Sequence, residues 1–77
     1  MLPVDVLSHM IGRRNLSTRN ASIIFGRSPS YASRMISGRV TLSIGLVAEF
    51  GDKLGYDIVL RDREDGEEWI IEPPPPS

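Results

Sequence analysis

Apolar positions recur at helical spacing along the first two thirds of the chain, and turn residues divide them into short blocks. Leu7, Met10 and Ile11 lie three and four residues apart, which is the spacing of one face of an α-helix. Pro3 is tolerated in a first turn because its missing N–H would have no partner there. The pattern predicts a first helix over residues 3 to 14.

Serine and glycine mark the ends of the second predicted helix. Ser17 is a good N-cap for a helix over about residues 18 to 25, because its hydroxyl can accept an N–H that lacks a partner in the first turn. Ile24 and Phe25 supply the apolar positions. Gly26 then ends the helix as a residue that adopts the left-handed conformation readily.

A third, shorter helix is predicted over about residues 29 to 37. Ser28 is placed as its N-cap and Pro29 as its first residue, where proline is common. The helix is expected to end near Ser37 and Gly38.

The fourth predicted helix begins after Ser43 as N-cap and closes at Gly55. Gly51 inside it is expected to let a neighbouring helix approach closely, whereas the sequence offers no reason for Gly45. The apolar stripe of this helix consists of Ile44, Val47, Phe50 and Leu54.

The periodicity changes after Gly55. The segments "YDIVLRD" and "EEWII" are rich in β-branched residues and flank an Asp-Gly turn, which predicts a β-hairpin over residues 57–72. Two strands alone are marginal in water, so the hairpin should pack on the helices or pair with a second copy. Residues 73–77, "PPPPS", are predicted to form a disordered proline-rich tail.

Charge is divided unevenly along the 77 residues, although the net charge is only −1. Residues 6 to 48 hold six arginines and no acid, whereas residues 49 to 77 hold nine acids against three basic residues. Such asymmetry favours one surface that meets a polyanion and another that does not.

Composition excludes several classes of chemistry. The chain has no cysteine and one histidine, His9, so we expect no disulfide, no thiolate catalysis, no metal site and no cofactor. A Ser-His-Asp arrangement would depend on His9 alone, and we therefore expect no enzyme activity. With no apolar run of about 20 residues and no signal-peptide pattern, a soluble cytoplasmic protein is expected.

The third predicted helix has two chemically different sides. Its core-facing side consists of Ala32, Met35 and Ile36. The opposite side carries Ser30, Arg34 and Ser37, with Tyr31 and Ser33 on the flanks. A short, donor-rich face of this kind suits the base-pair edges in the major groove, which admits one helix.

The segment "LSTRNASIIFGRSPSYASRMISGR", residues 16–39, resembles the helix-turn-helix core of lambda-repressor and Cro-like regulators. The pattern matches without gaps through Gly26, Ser28, Ser33-Arg34, Met35 and Gly38, and it extends into "TLSIGLVAEFGDKLGY". The resemblance covers about residues 4 to 56. It implies a mainly α fold of four to five helices, with a helix-turn-helix domain over residues 1–56 and the hairpin appended to it.

The resemblance also implies roles for individual residues. Base-reading contacts fall to Ser30, Tyr31 and Arg34. Phosphate contacts fall to Thr18, Arg19, Arg27, Ser28, Ser33, Ser37 and Arg39. Departures from the family pattern are Ala21 for a core leucine, Ser22 for a small alanine at the helix crossing, Arg27 for an apolar turn residue, and Pro29 for a polar base-reading residue. They imply looser packing of the second helix and specificity carried by fewer side chains.

The function implied is a dimeric, sequence-specific regulator of transcription, most often a repressor, that binds an inverted repeat in double-stranded DNA. Its two third helices would lie about 34 Å apart. The dimer interface is expected to consist of Ile58, Leu60, Trp69 and Ile71. Two alternatives stay open: a hairpin folded on its own monomer, and an antitoxin or interaction module whose acidic half binds a partner protein such as a toxin.

Overall fold

The computed structural model describes residues 1–75, which form four helices followed by a two-stranded antiparallel hairpin. The elements are α1 (Pro3–Arg13), α2 (Thr18–Ile24), α3 (Tyr31–Ile36), α4 (Ile44–Lys53), β1 (Ile58–Arg61) and β2 (Glu68–Ile71). The predicted mainly helical architecture with a C-terminal hairpin is confirmed. Of the four to five helices expected, four form within the described residues.

Serine caps and glycine stops define α2 and α4 as predicted. The hydroxyl of Ser17 accepts the amide of Asn20 at 3.0 Å, and that of Ser43 accepts the amide of Leu46 at 3.1 Å. After α4, Gly55 has a φ of +81°, a left-handed conformation that glycine adopts at no steric cost. These local signals are therefore sufficient to position both helices.

The start of α3 differs from the prediction. Ser28, expected as the N-cap, instead opens a turn in which its carbonyl accepts the amide of Tyr31 at 3.0 Å. Pro29 occupies the second position of that turn, which suits its fixed φ. Ser30, with φ −95° and ψ 0°, precedes the first helical residue, Tyr31. The helix consequently has six residues rather than nine.

The hydrophobic core joins all four helices. Its buried members are Leu7, Met10, Ile11, Ala21, Phe25, Ala32, Met35, Phe50 and Leu54. The rings of Phe25 and Phe50 stack with their centroids 4.2 Å apart, and the ring of Tyr31 meets Phe50 edge-on at 6.1 Å. Offset aromatic pairs of this kind add to the energy of burial, so this cluster holds the ends of α2, α3 and α4 together.

Two apolar positions predicted from periodicity lie outside the core. Ile44, the first residue of α4, is 66% exposed, and Ile24 in α2 is also exposed. Ile44 lines an open groove together with Met1 and Pro3 instead of entering the core. The predicted stripe of α4 therefore holds fully only from Phe50 onwards, with Val47 half-buried.

The hairpin rests on α4 at Gly51. A methyl group placed on Gly51 would lie 3.3 Å from Cδ1 of Ile58 and 3.5 Å from the carbonyl oxygen of Tyr56. Gly51 thus admits a strand, not the neighbouring helix that was predicted. At Gly45 a methyl group would lie 3.9 Å from Cγ of Pro74, an ordinary van der Waals distance, so the structure gives no reason for a glycine there.

The strands pair in a register that places Ile58 opposite Ile71 and Leu60 opposite Trp69. The predicted Asp-Gly turn lies within residues 63–66, where Gly66 has a φ of +76°. Pro73 to Pro75 form neither helix nor strand. The part of the predicted tail at residues 76 and 77 lies outside the described residues.

Candidate nucleic-acid interface

The outward face of α3 carries hydroxyl and guanidinium groups. Ala32 and Met35 face the core and are fully buried, as the helical wheel predicts. The exposed positions are Ser30, Ser33, Arg34 and Ser37. This face holds donors, acceptors and one positive charge without a carboxylate, because the segment contains no acid.

Tyr31 lies at the boundary between this face and the core. Its ring is half-buried against Phe50. The guanidinium carbon of Arg27 lies 5.5 Å from the ring centroid, and that of Arg34 lies 5.6 Å from it. Both distances are within the range of cation–π attraction. Tyr31 therefore supports the two arginines, in addition to the base contact predicted for it.

Intramolecular hydrogen bonds hold several predicted contact residues in place. A terminal nitrogen of Arg34 donates to Oγ of Ser28 at 3.4 Å, which links the end of α3 to the turn before it. Oγ of Ser37 donates to the carbonyl of Arg34 at 3.0 Å, and the amide of Arg39 donates to the same carbonyl at 2.9 Å. The first bond restrains the arginine side chain, and the other two order the backbone at the end of α3.

Arg27 has a partner within the chain. Its guanidinium donates to a carboxylate oxygen of Glu49 in α4 at 3.3 Å, and both side chains are partly exposed. The phosphate contact predicted for Arg27 therefore requires this ion pair to open or to be shared. Glu49 was not among the residues expected at this surface, because it lies 22 positions away in the sequence.

Ser22 joins α2 to α3. Its hydroxyl, fully buried, donates to the carbonyl of Thr18 at 2.7 Å and accepts the amide of Ala32 at 2.9 Å. The amide of Ala32 lies in the first turn of α3, where no helical carbonyl is within reach. A single hydroxyl therefore satisfies a buried donor and fixes the crossing of the two helices.

The sequence does not predict this role, because Ser22 is among the departures from the family pattern that imply looser packing of the second helix. The structure shows the opposite at this position, since the serine adds a bond that an alanine cannot make. The signal that could have revealed it is a hydroxyl at a helix crossing where the matched pattern has a small apolar residue.

Two further basic residues brace helix ends. Nε of Arg14 donates to the carbonyl of Leu54 at 2.8 Å, and its guanidinium lies 4.2 Å from the ring centroid of Tyr56. Nζ of Lys53 donates to the carbonyl of Phe25 at 3.1 Å. Both bonds satisfy carbonyls at helix C-termini, which lack partners within the helix.

The remaining predicted phosphate contacts differ in exposure. Arg19 in α2 and Arg39 after α3 are exposed. Thr18 is half-buried, and its carbonyl already accepts the hydroxyl of Ser22. The structure thus presents Arg19, Arg34 and Arg39 as accessible cations of the α2–α3 region, while DNA contact by any of them stays a prediction.

The residues predicted for a dimer interface divide into two pairs. Ile58 and Ile71 are half-buried where the hairpin meets α4. Leu60 and Trp69, nearer the turn, are 59% and 46% exposed.

Residues 1–75 contain neither a metal site nor a membrane-spanning helix. No group of three or more side chains there is arranged to hold a metal ion. No helix in that part of the chain has the length and apolar character needed to cross a membrane.

The fold places the chain in the class of small helical domains with a C-terminal β-hairpin. Comparison with protein-family models, with curated proteins and with solved structures finds no match. The resemblance to lambda-repressor and Cro-like regulators accordingly rests on the motif residues of this chain alone.

Proposed function

We propose that the chain is a sequence-specific regulator of transcription that binds double-stranded DNA through a lambda-repressor-like helix-turn-helix formed by α2 and α3. The observation that carries the proposal is the outward face of α3. Its hydroxyls and Arg34 point to solvent, whereas Ala32 and Met35 on its apolar side are fully buried and Ile36 is half-buried. A helix of this composition fits the major groove, where arginine can bond two guanine acceptors at once.

The joint between the two helices supports the same proposal. Specific contacts require the reading side chains to be held on rigid elements. Ser22 fixes the crossing of α2 and α3, and Phe50 supports the ring of Tyr31 from beneath. Arg34 therefore projects from a braced helix, which favours specific reading over diffuse attraction.

Selection from random duplexes at near-physiological salt tests the proposal. A consensus sequence is expected among the recovered duplexes. Changing one base pair of that consensus should weaken binding by about 1–3 kcal/mol, the usual cost of a mismatched base pair. Failure to bind any duplex would remove the proposed function altogether.

Two arginine substitutions separate reading from general attraction. Arg34→Ala is expected to weaken binding to the selected site by about 1–3 kcal/mol, and to weaken binding to random duplex much less. Arg39→Ala should weaken both to a similar degree, because a phosphate contact carries no sequence information. Arg63→Ala, which removes the same charge from the hairpin turn, is the matched control and should leave both unchanged.

A further inference from the structure

The outer edge of β1 carries a line of backbone N–H and C=O groups. The amide of Asp62 donates to the carbonyl of Glu67 at 2.8 Å. Because bonded and non-bonded pairs alternate in an antiparallel ladder, every second residue back along β1 bonds to β2. Val59 and Arg61 therefore direct their N–H and C=O groups away from β2, and within residues 1–75 these groups have no hydrogen-bond partner.

We propose that this edge pairs antiparallel with the same edge of a second copy of the chain, centred on Val59, to form a continuous four-stranded sheet. The register places Asp57 of one copy opposite Arg61 of the other. Ile58 of one copy then lies opposite Leu60 of the other, and Val59 lies opposite itself. Opposite charges and apolar side chains are the pairs that stabilise neighbouring strands.

Other registers of the same edge lack this complementarity. A shift towards the turn places Ile58 opposite Asp62, and Val59 opposite Arg61, so that apolar residues face charged ones. A shift towards α4 places Asp57 opposite Val59 and moves Arg61 beyond the strand, opposite Gly55. The Val59-centred register is the one of these three that pairs each residue of the strand with a compatible partner.

The outer edge of β2 is unsuited to the same pairing. Centred on Ile70, it would place Glu68 of one copy opposite Glu72 of the other. Centred on Glu68, it would place the Glu68 carboxylates of the two copies opposite each other. Like charges directly opposite are destabilising, so the carboxylates protect this edge from pairing. The outer edge of β1 is therefore the one that is open.

The same register covers the apolar side chains that a single chain leaves exposed. Directly opposite residues share a face of the sheet. A row across the four strands therefore runs from Ile71 and Ile58 of one copy to Leu60 and Trp69 of the other, and the two-fold axis repeats it. The exposed Leu60 and Trp69 thus continue the apolar face that each copy already packs on its own α4.

The pairing deepens the proposed function, because a two-fold dimer matches an inverted repeat. The residues that carry it lie in the hairpin alone, and crosslinking and sedimentation measure it without DNA. A failure of the dimer and a failure of DNA binding are therefore distinguishable.

Single-cysteine variants test which edge pairs. The chain contains no cysteine, so Val59→Cys introduces a unique thiol at the proposed axis. Ile70→Cys is the matched control, since Ile70 lies opposite Val59 on the same face and both are exposed. In the proposed sheet the Val59 Cα atoms of the two copies are about 5.5 Å apart, whereas the Ile70 atoms are three strand spacings apart, about 14 Å.

A short thiol-to-thiol crosslinker is expected to give a covalent dimer of Val59→Cys and none of Ile70→Cys. Crosslinking of Ile70→Cys instead would show that β2 pairs, and the proposal would be wrong. If neither variant is crosslinked even at high protein concentration, the proposal is equally wrong.

Charge reversal tests the register. Asp57→Lys and Arg61→Glu each place like charges opposite one another twice in the dimer, and each is expected to raise the dimer dissociation constant roughly tenfold or more. In an equal mixture the two variants can form a heterodimer in which both charge pairs are again opposite. Sedimentation equilibrium should therefore show dimerisation restored in the mixture.

Glu64→Lys is the matched control for Asp57→Lys, because it makes the same charge change on the turn, outside the paired segment. It is expected to leave the dimer dissociation constant unchanged. A mixture no more dimeric than its components would contradict the register. If the unaltered chain sediments as a monomer at every concentration, a second copy does not occupy this edge. Binding of a different protein there, without self-association, would lead to the same conclusion.

Discussion

The helical body, residues 3–54, and the hairpin, residues 58–71, differ in how they bury apolar surface. The body encloses two stacked phenylalanine rings and a continuous core from all four helices. No residue of β1 or β2 is fully buried, and the hairpin contacts the body mainly where Ile58 meets Gly51. The body can thus be stable by its own contacts, whereas the hairpin depends on what it packs against.

The two regions also use charge differently. In the body, basic side chains act as braces: Arg14 and Lys53 bond to helix-end carbonyls, and Arg27 pairs with Glu49. In the hairpin turn, the carboxylates of Asp62 and Asp65 bond to backbone amides two residues further on. Long-range contacts therefore hold the body together, while local ones shape the turn.

The largest expected effect comes from removing an aromatic ring from each region. Phe50→Ala should lower the free energy of unfolding by about 3–5 kcal/mol, because it opens a cavity beneath Phe25 and Tyr31. Trp69→Ala, the control in the hairpin, should cost less than about 1 kcal/mol when the chain is dilute, since the side chain is 46% exposed. Urea unfolding followed by circular dichroism measures both. Equal losses would break the distinction between the two regions.

A smaller effect is expected at the joint of α2 and α3. Ser22→Ala leaves the buried amide of Ala32 without a partner and should cost about 1–3 kcal/mol. Ser33→Ala, an exposed serine on α3, is the matched control and should change the stability by less than about 0.5 kcal/mol. The same urea titrations compare them. Indistinguishable midpoints for the two variants would show that the joint does not contribute.

The brace at the end of α4 should matter less again. Arg14→Ala removes a hydrogen bond to Leu54 and the contact with Tyr56 at a partly exposed position, so we expect a loss of about 1 kcal/mol. The neighbouring Arg13→Ala removes the same charge from the end of α1 and should leave the stability nearly unchanged. A thermal shift shared by both variants would point to net charge instead of the brace.

The smallest expected effect concerns the ion pair between Arg27 and Glu49. Glu49→Gln should change the stability by less than about 0.5 kcal/mol, because exposed ion pairs contribute little. It releases Arg27, so binding to any duplex should strengthen roughly threefold at low salt. Glu64→Gln removes an equal charge from the hairpin and serves as control. Unchanged or weaker binding by Glu49→Gln would mean that Arg27 makes no phosphate contact.

The elements that sequence reasoning predicted well are those with local causes. Ser17 and Ser43 cap their helices with hydroxyls three residues from the amides they bind, and Gly55 ends α4 through its own backbone conformation. The hairpin is equally local, since alternation and an Asp-Gly turn are both visible in a short window. The predicted start of α3 is wrong, because Ser28 and Pro29 suit the first two residues of a β-turn as well as they suit the N-cap and first residue of a helix.

The features that escaped prediction depend on residues far apart in the chain. The partners of Arg14 and Arg27 lie 40 and 22 residues away, and neither periodicity nor spacing identifies them. The candidate site was predicted at the level of a helix face, because that follows from the period of α3. Ser22, which braces this face, and Glu49, which competes for Arg27, are brought to it by the way the helices cross, and only the folded structure reveals this.

Because Ile58 lies close to Gly51, we expect positions 51 and 58 to covary in evolution. An alanine at position 51 would crowd Cδ1 of Ile58, and a valine at position 58 would remove that atom and make room. Diverged descendants of this chain should therefore change the two positions jointly, with a larger residue at one accompanied by a smaller residue at the other.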